Sequence, residues 1–173
     1  MKTVFQALAK YNSSVNQSII ELIEPLSEEK IMTKTKAFFP SIFETLLHLF
    51  FSDLFWLKRF REVFIDSNAL MVSKLVPLDG KNLRRKFETD YTKLFQRRRQ
   101  ADEVILQFIE ELDEATLSSV ITYKNFKGDE VEKELWKVLL QWFNHQTHHR
   151  GQVSVLLDMI DVNNDYSSLL PRI

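Results

Sequence analysis

The sequence predicts an all-α protein: a four-helix bundle with a long crossover after the second helix and a small β-hairpin between the third and fourth. Three observations carry that expectation. Glycine and proline are scarce, three and four in 173 residues, so the chain has few built-in breaks. Four separate stretches repeat apolar residues at helical spacing. One connection is too long for a tight helix hairpin, and another changes to a period of two. This length suggests one domain, residues 1–173, able to bury a sizeable core.

The first helix is expected from about Thr3 to Glu24, with Phe5, Leu8, Val15, Ile19 and Leu22 on its stripe and Pro25 helping to end it. Asn12 sits inside that stripe and Asn16 one turn on. Buried asparagines need partners, either ordinary interhelical bonds or a polar site that they support. Leu26 to Pro40 is less periodic and reads as a turn plus an extended link.

The second helix starts cleanly, because Ser41 with Glu44 three residues later makes a capping box. Its body, Ile42 to about Phe64, is apolar around most of its circumference. One polar seam remains: Glu44, Thr45, His48, Ser52, Arg59 and Glu62. It is either the solvent face or, in part, the lining of an internal polar pocket.

Ile65 to Lys81, with Pro77 and Asp79-Gly80, is the long crossover. A third helix from about Asn82, a good N-cap, to Leu112 buries Leu83, Phe87, Tyr91, Leu94, Ala101, Ile105, Phe108 and Leu112. Its other side holds Arg84, Arg85, Lys86, Lys93, Arg97 and Arg99, interleaved with Glu88, Asp90, Asp102 and Glu103. That pattern reads as a solvated, ion-paired face rather than a nucleic-acid patch. Ser118 to Glu134 reads as the hairpin, turning at Asn125-Phe126-Lys127-Gly128. The fourth helix runs from about Lys133 to Asp161, and the tail, Asn163 to Ile173, is an irregular wrap.

Composition narrows the chemistry. A net charge of −1 gives no bulk field for nucleic acid or an anionic membrane. The absence of cysteine removes disulfides, thiolate ligands and a protein-borne thiol nucleophile. The N-terminus lacks an apolar signal core and no apolar run is long enough for a bilayer, so a cytoplasmic setting is expected.

Three of the four histidines fall in one stretch of the fourth helix, Trp142-Phe143-Asn144-His145-Gln146-Thr147-His148-His149-Arg150-Gly151-Gln152. His145 and His149 are i and i+4, so their rings leave one face about a turn apart. That separation suits two imidazoles on one metal ion. At about 100° per residue they share an arc with Leu135, Val138, Trp142, Val153, Leu156 and Ile160, and His148 lies off it. Burying either ring costs about 1–3 kcal/mol unless it finds a partner. A buried carbonyl or hydroxyl would serve as well as a metal, and spacing alone leaves both open. A full site needs a third ligand, and His48 is the remaining histidine. Need, not pattern, turns it inward; bundles do build such sites from facing helices.

Four segments carry a resemblance. They are Tyr11-Asn12-Ser13-Ser14-Val15-Asn16; Ser41-Ile42-Phe43-Glu44-Thr45-Leu46-Leu47-His48 followed by Asp53 and Trp56-Leu57; Thr122-Tyr123-Lys124-Asn125 with Gly128; and Asn144 to Gln152. Together they resemble the DinB family, DNA-damage-inducible-type helical bundles related to bacterial thiol S-transferases. The resemblance implies an antiparallel-type bundle, usually a homodimer. It implies a divalent metal, zinc or nickel, held by His48, His145 and His149, with His148 a neighbour. The family's name records induction by DNA damage, not DNA binding.

The leading functional expectation is a metal-dependent enzyme resembling those thiol S-transferases. A low-molecular-weight thiol would supply the nucleophile that this chain lacks. The alternatives are a metal-dependent hydrolase and a non-enzymatic metal-binding stress-response protein. Expected partners are a second copy of the chain and a small-molecule substrate, with no nucleic acid and no membrane. No general base is nameable from the sequence.

Overall fold

The periodic stretches fold as helices in the computed structural model, which describes residues 1–75 and 80–173. Helix α1 spans Lys2–Ile23 and buries Phe5, Ala9, Val15, Ile19 and Ile23 together with Asn12 and Asn16. The link that follows is not wholly irregular: Ser27 caps a short α2, Glu28–Met32, by accepting from Lys30 N. Helix α3, Ile42–Val63, begins at Ser41, whose Oγ accepts from Glu44 N at 3.1 Å. Glu44 turns its carboxylate to Arg84, with Nη2 at 3.0 and 3.1 Å, so its side chain joins two helices.

The crossover contains α4, Asn68–Val72, capped by Ser67. Pro77 and Asp79, read as part of the same connection, lie outside the described residues. The expected third helix is two helices, α5 (Gly80–Thr89) and α6 (Thr92–Glu111). Asn82 therefore lies inside α5 rather than capping it. The break has a local cause: Asp90 Oδ1 accepts from Thr92 N at 3.2 Å and Thr92 Oγ1 at 2.5 Å, which serves the orphan N–H groups of a new helix start.

Asp113 caps the short α7, Glu114–Ser118, through Thr116 N at 2.7 Å. Strands β1 (Val120–Lys124) and β2 (Glu130–Glu134) pair antiparallel, with Val120 opposite Glu134. Asn125 Oδ1 accepts from Lys127 N and Asp129 N, and Gly128 takes φ +89°, a conformation that side chains disfavour. Lys133 and Glu134 stay in the ladder, so α8 spans Leu135–Asp158, shorter at both ends than expected. The tail wraps α1: Tyr11 Oη donates to the Tyr166 carbonyl at 2.5 Å, and Arg172 Nη1 donates to Ser14 and Ser18. It also holds a 3₁₀ turn, Leu170–Arg172.

The protein is thus mostly helical with one small antiparallel sheet. Both α1 and α3 pack on α6 and α8, so each long helix touches two others. One cluster of buried apolar side chains draws on all the described helices but the 3₁₀ turn, and on β1.

Candidate metal centre

Two helices supply the centre. His48 leaves α3 from the polar seam, with Ser52 one turn further on. Facing it on α8 are His145 and His149, also one turn apart. The structure brings the three together. His48 Nε2 lies 3.1 Å from His145 Nε2 and 3.1 Å from His149 Nε2, and one ring nitrogen from each histidine falls within 4.8 Å of the others. Nitrogens each about 2.0 Å from one tetrahedral ion stand about 3.3 Å apart, so this spacing fits a divalent cation.

One hydrogen bond assigns the ring state of His149. His149 Nδ1 lies 2.7 Å from Gln152 Oε1, which can only accept, so Nδ1 carries the proton and Nε2 offers its lone pair. The other end of the same amide, Gln152 Nε2, donates to His148 Nε2 at 3.2 Å. Ser52 Oγ stands 3.4 Å from His145 Nδ1. Phe39 covers the group, stacked on His48 at 4.2 Å and edge-on to His149 at 5.4 Å. Burial, then the neighbouring His149, pushes His48 down to about 4; burial, then the other histidines, does the same to His145. Burial also lowers His149, against the opposing bond from Gln152. Values near 4 favour the neutral ring of His48 and His145 at pH 7, and His149 is shifted in the same direction, toward the state a metal ligand requires.

The helices are held in register by a buried polar network under the centre. Asp53 on α3, fully buried, accepts from Trp142 Nε1 at 2.6 Å and from Gln146 Nε2, both on α8, and from Arg98 on α6. Arg98 also donates to Asp102 Oδ1 at 2.8 Å. This corrects the expectation that Asp102 belongs to the solvated face of the third helix; it is 5% exposed and faces the core. Part of that face is ion-paired as expected, with Arg84 on Glu44 and Glu88, Lys93 on Asp90, and Arg99 on Glu24.

The sequence profile of the DinB family matches residues 1–160. The chain belongs to the DinB family. It is similar to Protein DinB of Bacillus subtilis (strain 168), 26% identical over 151 residues that cover 87% of this chain and 82% of that protein.

Within this DinB-family chain the three expected ligand residues converge, and His148 stands outside the group, exposed. The seam on α3 faces inward over its first half: Thr45 is fully buried, and His48 and Ser52 face α8. Asn12 and Asn16 have partners other than histidine. Asn12 Oδ1 accepts from Arg150, the neighbour of His149, and Asn16 Nδ2 donates to Asp102 at 2.9 Å. Among the described residues, Gln152 and Ser52 bond to the clustered histidines and Phe39 packs on them. Gln152 follows His149 at i+3, so its place was readable from spacing. Phe39 sits in the aperiodic link, and no pattern marked it.

Proposed function

We propose that this protein binds one divalent metal ion, zinc or nickel, through His48, His145 and His149, and acts as a metal-dependent enzyme resembling the thiol S-transferases. The four long helices are read as a four-helix bundle that holds the site between α3 and α8. The observation that carries the reading is the convergence of three imidazole nitrogens at the spacing of one ion's ligands. A bound divalent cation supplies a Lewis-acidic position at which a low-molecular-weight thiol loses its proton readily. The chain's own residues do the rest. Gln152 holds the His149 tautomer, Ser52 abuts His145, and Phe39 shields His48 and His149 from water.

The centre consists of histidines alone among the described residues. The same observation suits a non-enzymatic metal-binding protein of the stress response.

The test is elemental analysis of protein purified without a histidine tag. About one divalent ion per chain is expected. His48→Ala, His145→Ala and His149→Ala should each strip most of it, and His148→Ala should not. Full metal in the His48 variant would overturn the ligand set. A panel of thiols and electrophiles, run on metal-loaded protein, then separates turnover from binding alone.

A further inference from the structure

Beside the centre, between the 35–39 segment and α8, lies a groove of about 470 Å³. Its body is apolar, with Phe38 and Phe39 on one wall and Val155, Leu156 and Met159 on the other. Gly151 lies along its base. A Cβ built on Gly151 meets no atom within 4 Å among the described residues. The glycine is therefore not needed for a close backbone contact inside the chain. Its effect is to leave the groove open, at some cost in helix stability.

The groove adjoins the centre through two shared residues, although none of the three clustered histidines lines it. Phe39, its wall, is the ring stacked on His48, and Gln152 at its near end is the residue bonded to His149. His148 also lines it and is exposed, whereas Thr35 and Gln152 are already engaged. Thr35 Oγ1 donates to the Pro40 carbonyl and accepts from Ala37 N, and Gln152 uses both ends of its amide on His149 and His148. Lys36 stands exposed at the rim. A sugar or nucleotide would leave hydroxyls unpaired against these walls, whereas an alkyl or aryl chain would not. The volume lies in the range of small-ligand sites, about 300–1,000 Å³.

We propose that this groove binds the apolar tail of a small amphiphilic substrate whose soft, metal-ligating head reaches the three histidines. The proposal rests on the metal-centre reading above. The probes are 1-alkanethiols from ethyl to octyl, titrated into cobalt-loaded protein and followed by the thiolate-to-cobalt absorption band. Affinity should rise about fourfold per methylene until the groove is full. Gly151→Leu, which fills the groove without replacing any of the three clustered histidines, should flatten that dependence while cobalt content and ethanethiol binding stay unchanged. Gly151→Ala should give a smaller loss in the same direction. A chain-length dependence that is flat in the wild type, or intact in Gly151→Leu, overturns the proposal. So does a Gly151→Leu variant that changes only the mass by light scattering, since the groove then belongs to an interface between copies.

The failure of the metal reading looks different: either no cobalt is bound or no thiolate band appears. In that event 1-alkanols titrated calorimetrically into metal-free protein decide the groove alone. The same increment per methylene, lost in Gly151→Leu, upholds it; a flat series overturns it.

Discussion

Asp102 and Asp53 share one guanidinium, that of Arg98, in the interior. Burial pushes the Asp102 carboxyl up to about 6, against the opposing pull of Arg98 and Asn16. A carboxyl whose folded value is raised takes up its proton sooner in the folded chain than in the unfolded one. It therefore contributes stability below the ordinary value near 4, and that contribution is lost as pH rises through about 6. Asp102→Asn removes the titration. The stability of the wild type relative to Asp102→Asn should fall between pH 4 and pH 6.5 and level off above, as measured by urea unfolding of the metal-free proteins. A constant difference would mean that the carboxyl titrates alike in both states. Much of this network was legible at the residue scale. Arg98 lies four residues after Leu94 and three before Ala101, so it occupies the apolar stripe as surely as His145 does. Asp53, between Phe50 and Leu57, obeys the same rule. What the stripe could not supply is which buried charge meets which, because Asp53 and Arg98 are 45 residues apart and pair only through the packing.

At the scale of elements, the polar network does what apolar packing does poorly: it fixes register. Leucines tolerate sliding, but Trp142, Gln146 and Arg98 meet Asp53 in only one alignment of α3, α6 and α8. That alignment also places His48 opposite His145 and His149. Removing the carboxylate leaves Arg98 buried without one of its two counter-charges. Asp53→Ala should lower stability by about 3–5 kcal/mol in denaturant unfolding, the cost typical of breaking a buried ion pair. A loss below about 1 kcal/mol would show that water replaces the carboxylate. The long helices and the hairpin were readable because each carries many repeats of one period. The short helices α2, α4 and α7 were not. Each is five residues long, too short to show a period, and is marked in sequence only by a serine or aspartate cap. The break at Asp90 escaped for the same reason: one side chain makes it, inside a stripe that runs on across it.

At the scale of the whole molecule, the excess apolar surface of the sequence divides into two parts. Helix α3 is apolar almost all round, and its second face is covered within the chain. Tyr123 of the hairpin packs on Trp56 at 5.4 Å, Phe126 stacks on Phe55 at 3.8 Å, and Ala69, Leu70 and Leu75 of the crossover are buried. Helix α8 differs. Leu140 and Val155 remain 48% and 58% exposed on the side away from the core. Val155 lines the groove beside the centre, which leaves Leu140 as the exposed apolar residue of this face that a second copy can cover. We propose a homodimer through the Leu140 end of this face, the assembly that the resemblance implies. Light scattering at micromolar concentration should give about twice the 20.5 kDa of one chain. Leu140→Glu, which places a charge on the face of α8 turned away from His145 and His149, should return the mass to that of one chain and leave the metal content unchanged. A wild-type mass of 20.5 kDa would mean that Leu140 is simply solvated. Loss of metal in a monomeric Leu140→Glu would mean instead that the centre depends on the second copy.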